Sequence, residues 1–364
     1  MENQYKRILV IKLRHLGDVL LSSPVFSHLQ KVFPEAFIDT YIWKESEPML
    51  FGHPAIAGFH LHDRKWKELS LFKRYKKEFQ LLRKIRKEKY DLVLNLTEGD
   101  RGAIAALSSG AKVRVGVDPG KKMTRKFFTH LVKPCPTPRH TVERDLDVLR
   151  KLGIFPSPSE RDLFYFVPSE AKARVKELVG KDPYVVVHAA ARWKFKCPPP
   201  KLMGGICNRL GMRVVLTGAA SERDFVDQIT QYTDVEVLNL AGKVDLKEVG
   251  ALLLDAKGLI TVDSVALHIA SALKIPVVAI FGPTSELNWG PWMHARAAVV
   301  TGDQPCRPCL LDGCGGSKMS DCLWTISPDE VVNAFQLITS AEGAPEASAS
   351  SLLTLNSFET NRME

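Results

Sequence analysis

The sequence holds no uninterrupted apolar run of the ~18 residues that a membrane span needs. Its longest candidate, Gly258 to Phe281, is broken by Asp263, His268 and Lys274. The N-terminus lacks the apolar core of a signal peptide, since Ile8–Ile11 is followed at once by Lys12 and Arg14. A cytosolic protein is expected. No G-x-G-x-x-G follows that first apolar run, which argues against a dinucleotide site. Gly116–Lys122 has one spacer too few for a P-loop and puts Lys122 where a magnesium-binding hydroxyl belongs. Cysteine is sparse and odd in number, seven in all, so a disulfide framework is not expected. Four of the seven form Cys306-x2-Cys309-x4-Cys314-x7-Cys322, with zinc spacing in the first pair only and no histidine among them. The expectation is a cluster of reduced structural thiols, with no metal site.

What is present fits a soluble globular chain of two domains: 364 residues, 45% hydrophobic and 25% charged. The net charge of +9 is unevenly placed. Residues 1–165 carry 31 Lys/Arg against 19 Asp/Glu, and residues 166–364 carry 19 against 22. Arg64–Tyr90 alone holds 12 basic and 3 acidic residues, and a second basic cluster follows in Lys112–Lys133. Such asymmetry points to an anionic partner for the first half, against the plainer reading of a solvated helix face. Nucleic acid is not expected, because the basic helix lacks the aromatic spacing of a base-stacking platform and no nucleic-acid module is present.

Strand-like and helix-like runs alternate twice along the chain. Arg7–Leu13, Ala36–Trp43, Leu92–Leu96 and Val113–Val117 read as strands of a first series. Tyr184–His188, Val214–Thr217, Val235–Leu238, Leu259–Val262 and Pro276–Phe281 read as a second series, with Pro276–Phe281 its last strand. The fold class expected is α/β, with two Rossmann-like parallel-sheet domains facing a cleft. The boundary is placed at 165, giving domains 1–165 and 166–340, with the last helix free to pack back on the first domain. The small, polar stretch 341–364 reads as a disordered tail.

In open α/β sheets ligands bind at the carboxyl ends of strands. The loop LRHLGDVLLSSP after the first strand offers Gly17, for a tight backbone path, and Asp18. A carboxylate there can take a proton from a hydroxyl, or it can cap the next turn and pair with Arg14. HAAARWKFKCPPP concentrates Arg192, Lys194 and Lys196 after another strand, donors suited to phosphate oxygens. In TGAASERD, Glu222 stands near a helix start, where it can cap amides or hold ribose hydroxyls. The strand Leu259–Val262 runs into Asp263, and a helix opens at once with Ser264 and Val265. The amides of that helix start form an anion site, with His268 one turn further on.

Together LRHLGDVLLSSP, the H-x-x-x-R…K loop, the Gly218–Glu222 turn and D-S-V-x-x-H-I-A-S-A-L…FGPT resemble the bacterial lipopolysaccharide heptosyltransferases. These are family-nine glycosyltransferases of GT-B fold, and the cysteine pattern and KFKC are most similar to the heptosyltransferase III branch. The resemblance covers about residues 6–340. It implies inverting transfer of heptose from ADP-heptose to the inner core of lipopolysaccharide, with the acceptor on the N-terminal domain and the ADP-sugar on the C-terminal one. It places the catalytic base at Asp18 and the phosphate-binding cation at Lys196, with Arg192 beside it. It also places the ribose contact at Glu222, the diphosphate cradle at Asp263, Ser264, Val265 and His268, and an adenine wall near Gly242–Val244. Ala190, Ala191 and Pro198 depart from the family's pattern, in which Thr is frequent at the first two positions and Trp at the third. No cofactor is expected. The implied partners are ADP-heptose, the inner-core acceptor and the anionic inner-membrane surface, with the protein peripheral on its cytoplasmic face.

Overall fold

The computed structural model describes residues 5–340 and 353–356. The chain divides into two compact units between Phe166 and Val167. The first holds six parallel strands: β1 (Arg7–Lys12), β2 (Phe37–Trp43), β3 (Gly58–His62), β4 (Leu92–Asn95), β5 (Val113–Val117) and β6 (His130–Val132). Their order is β3-β2-β1-β4-β5-β6. β1 is central and buried on both faces, which is why its sequence is an almost unbroken aliphatic run. Ile8 sits opposite Ile38 on one side and Leu92 on the other. Leu9, Ile11, Tyr41, Val93 and Phe128 share one core layer.

The second unit repeats the plan with β7 (Tyr184–His188), β8 (Arg213–Leu216), β9 (Val237–Asn239), β10 (Leu259–Val262), β11 (Val277–Phe281), β12 (Ala297–Thr301) and β13 (Leu353–Asn356). Their order is β13-β12-β11-β10-β7-β8-β9, all parallel. The core gathers Val185, Val187, Ile206, Leu216, Ile260, Ile280 and Phe335.

Four strands were not anticipated. β3 has only Phe59 and Leu61 as apolar members, yet His60 and His62 are buried too, each with one ring nitrogen on a tyrosine: Tyr90 at 2.7 Å and Tyr41 at 3.0 Å. β6 is only three residues long. Ala297–Thr301 extends the second sheet beyond the strand expected to be its last, its alanines masking a fully buried run. Leu353–Asn356 pairs with β12, within a stretch expected to be disordered; the rest of 341–364 lies outside the described residues. The final helix, Pro328–Thr339, packs on β11, β12 and the helix Pro200–Arg209.

Candidate active site

A sheet with this strand order changes direction where the chain, having wound outward one way from its first strand, begins to wind the other way. In the first unit that point lies between β1 and β4. The segment after β1 is a short helix, Leu16–Leu21, and not the open loop expected. Gly17 lies inside it in helical backbone that any residue adopts, so the tight path assigned to it is not needed. Asp18 occupies the third helical position. Its Oδ2 accepts from the His15 amide at 3.3 Å and lies 3.9 Å from Arg14 Nε. Both plainer roles of this carboxylate are therefore realised, and each holds it in place at the carboxyl edge of the sheet.

Beneath it lies a pair that the sequence did not announce. Lys12, the last residue of β1, reaches both oxygens of Asp145 at 2.7 Å, with the two side chains 4% and 7% exposed. Asp145 belongs to the helix Thr141–Arg150, which packs on the helix carrying Asp18. Burial pushes the Asp145 carboxyl up to about 6; the Lys12 ammonium opposes that rise and the Asp18 charge adds to it. The field of Asp18 therefore reaches a buried, titratable partner.

In the second unit the corresponding point lies between β7 and β10, and the predicted phosphate residues converge there. Lys196 Nζ donates to Asp263 Oδ2 at 2.6 Å and stands over the Trp289 ring at 5.9 Å. Ser264 precedes the helix Val265–Leu273 without capping it through its side chain. Its hydroxyl meets Thr261 Oγ1 at 3.1 Å instead. Thr261 donates to the His188 carbonyl at 2.9 Å, and His188 Nδ1 meets Thr217 Oγ1 at 2.9 Å. This relay crosses β10, β7 and β8. Burial lowers the His188 pKa, so its ring is neutral at pH 7. His268 is buried within the helix, and Arg192 is exposed with its guanidinium 5.2 Å from the Trp193 ring. Thr217, Thr261, His188 and Trp289 were missed by sequence reasoning. Thr217 follows β8, His188 ends β7 and Thr261 lies one residue from the end of β10, all at the carboxyl edge already located.

Glu222 sits where its turn was expected, one oxygen accepting from the Ala219 amide at 2.7 Å. That turn is joined to the next carboxyl-edge loop by Gly242 N–H donating to the Gly218 carbonyl at 2.8 Å. Gly242 is left-handed at φ +70°, and a Cβ there would come within 2.9 Å of Ala220 Cα. Only glycine lets the two loops close, which brings half-buried Val244 onto the same edge as Glu222. Ala190 and Pro198 are buried. Cys197 Sγ accepts from the Ala191 amide at 3.3 Å, and that contact folds the loop back toward Lys196.

All seven cysteines are free thiols. Cys306, Cys309, Cys314 and Cys322 line one cavity of about 110 Å³ with Arg307 and Asp321. Among the described residues no three Cys, His, Asp or Glu side chains stand together as a metal ion requires. Burial raises the Cys322 thiol to about 11. Among the described residues no helix is long and apolar enough to cross a membrane.

The model of glycosyltransferase family 9 (heptosyltransferase) matches residues 78–319. Lipopolysaccharide heptosyltransferase 3 of Escherichia coli is 34% identical over 304 residues, covering 80% of this chain and 88% of that protein. The chain belongs to glycosyltransferase family 9. Lipopolysaccharide heptosyltransferase 1 of Pseudomonas aeruginosa is 26% identical over 321 residues, 85% of this chain and 87% of its own. Among solved structures, a family 9 glycosyl transferase from Veillonella parvula superposes with a TM-score of 0.78 at 23% identity, covering 93% of this chain and 98% of that one. The E. coli ADP-heptose lipopolysaccharide heptosyltransferase II gives 0.76 at 22%, covering 93% and 100%. The fold is thus of GT-B type and the protein a glycosyltransferase. The family match takes in Lys196, Glu222 and Asp263, and begins after Asp18.

Proposed function

We propose that the chain is an inverting heptosyltransferase that moves heptose from ADP-heptose to the inner core of lipopolysaccharide. The observation that carries this reading is the carboxyl edge between β7 and β10, where Lys196 stands beside the uncapped first turn at Ser264–Val265. A cation and helix amides on one edge suit a diphosphate. The relatives named lipopolysaccharide heptosyltransferases and the structure of an E. coli heptosyltransferase with ADP support the donor and acceptor classes.

The residue types then divide the chemistry. An acceptor hydroxyl attacks the anomeric carbon, and Asp18 takes its proton. The bond from that carbon to the diphosphate oxygen breaks, and its electron pair leaves on ADP. Lys196, Arg192 and the amides at Ser264–Val265 stabilise that charge, with Asp263 holding Lys196 in position. Glu222 takes the ribose hydroxyls, the Gly242–Val244 loop faces the adenine, and His268 and Val265 complete the helix-start cradle. Neither a cofactor nor a metal ion is assigned a step. The basic first half fits an acidic, phosphorylated acceptor and a position on the cytoplasmic face of the inner membrane.

The test is release of the donor's own nucleotide from a panel of nucleotide sugars in the presence of deacylated inner-core acceptor. ADP-heptose should be turned over at least about tenfold faster than any other donor. Faster turnover of a different nucleotide sugar would replace the donor and keep the fold-level reading.

A further inference from the structure

The helix Leu71–Lys87 is attached to its unit by a narrow strip. Of its 17 residues only Ile85 is fully buried, with Leu81 and Leu82 packed partly against the first core. Large apolar side chains nonetheless cover another part of its surface. Phe72 is 79% exposed, Leu71 68%, Phe79 66% and Tyr75 63%. At 100° per residue, positions 71, 75, 79 and 72 fall within an arc of about 100°, one continuous stripe. Beside that stripe the helix turns to Arg83, Lys76, Lys87, Lys73, Lys84 and Lys77. Eight of the 17 residues are Lys or Arg, and Glu78, its single acid, is engaged by Arg74 and Arg101.

We propose that this stripe is a membrane-docking surface, with Leu71, Phe72, Tyr75 and Phe79 seated among the headgroups of an anionic bilayer and the adjoining lysines and arginines on its phosphates. The two chemistries lie side by side on one helix, as an interface between hydrocarbon and anionic headgroups requires. A second copy of this chain is a poor occupant, since it would set one strongly basic face against another. Nucleic acid would meet the charge but leave Leu71 and the edge-to-edge aromatic stripe without a partner.

Topology gives the surface its purpose. All strands of the first sheet are parallel, so the segment leaving β3 and the segment leaving β1 emerge on the same edge. The first passes through Arg64–Glu68 straight into Leu71, and the second carries Asp18. A bilayer held by Leu71, Phe72 and Tyr75 would present a lipid-anchored saccharide to the edge that bears the base. That purpose rests on the reading of the acceptor given above.

The experiment is co-sedimentation of the full chain with vesicles of phosphatidylcholine alone, or with about a third of phosphatidylglycerol. The protein should bind the anionic vesicles and leave the neutral ones in solution. The pair Phe72→Ser and Phe79→Ser should weaken anionic binding about tenfold or more, with unchanged thermal melting because both residues are exposed. Lys76→Gln with Lys84→Gln should weaken it by several-fold and only at low salt. Turnover of deacylated acceptor by the Phe72→Ser/Phe79→Ser protein should equal that of the parent. Parent binding that ignores vesicle charge, or binding that survives the serine pair, overturns the inference. So does self-association, or retention of nucleic acid on a filter, that the serine pair abolishes while vesicle binding stays. Loss of parent turnover on the deacylated acceptor would instead strike the heptosyltransferase reading and leave the vesicle result standing.

Discussion

The two units share a plan and handle charge in opposite ways. The second concentrates its chemistry in a few groups that neutralise one another at close range: Lys196 against Asp263, and a run of hydroxyls from Ser264 through Thr261 to the carbonyl of His188. The first spreads a large cationic excess over its surface, and at the carboxyl end of its central strand it holds Asp18 at the edge and the Lys12–Asp145 pair inside. A small ligand of fixed shape can be held by a handful of oriented donors. A large anionic surface is met by a field, which needs number more than geometry. On the proposed reading the donor meets the first kind of unit and the acceptor with its membrane the second kind.

The sharpest way to separate the units is to remove the base. Asp18→Asn is expected to lower turnover by about three orders of magnitude while ADP-heptose affinity, measured by calorimetry, stays within about twofold. A fall in donor affinity matching the fall in rate would end the division of labour. Next in size, Lys12→Met should cost about 3–5 kcal/mol of folding stability in urea titrations, since it strands a buried carboxylate. Lys12→Met combined with Asp145→Leu should recover most of that loss, and a double variant as unstable as the single would show that the pair is not the cause. Lys196→Ala should reduce donor affinity and kcat/KM together, by about tenfold to a hundredfold, because one charge serves both bound diphosphate and departing ADP. Unchanged donor affinity would pass the role to Arg192.

The smallest difference concerns acid. Burial holds the pKa values of His53 and His62 in the first unit, and of His294 in the second, down at about 4. Between about 6.5 and 4 the unfolded chain binds protons that these folded rings refuse, so their contribution is full above 6.5 and lost as pH falls through about 4. Asp145 works the other way: its contribution is full below the ordinary carboxylate pKa and lost as pH rises through about 6. The histidines outnumber it, and burial lowers His60 and His28 of the first unit and His188 of the second as well. Hydrogen exchange at pH 7 and pH 4.5 should show protection falling in both units, by about 1–2 kcal/mol more in the first. Equal losses would erase this contrast.

Much of the plan was legible because doubly covered parallel strands are written as aliphatic runs, and β1, β4, β7, β10 and β11 all are. Their ends then indicated where Asp18, Lys196, Glu222 and Asp263 would stand. What escaped was polar matter buried through partners far away in sequence. His60 and His62 hid a strand because each is buried with one ring nitrogen bonded to a distant tyrosine, Tyr90 or Tyr41. Lys12 read as the charge that ends an apolar run, when it is the best-buried cation of its sheet edge, compensated by a residue that no local pattern points to. The exposed stripe on Leu71–Lys87 was equally silent, since a helical repeat of Phe and Leu does not say which side faces the core.

The Lys12–Asp145 pair also sets a timetable for the making of the protein. The two residues are 133 positions apart, near opposite ends of the first unit. On the ribosome Lys12 emerges early, at the end of a strand that the sheet wants to enclose, and its counter-charge does not exist until almost the whole unit has been synthesised. At ordinary elongation rates that interval is about ten seconds. Through it the central strand has reason to stay solvated and open to a chaperone. The helix Thr141–Arg150, which carries Asp145, comes late in the unit, so the charge of Lys12 can be paired only when that unit is nearly complete.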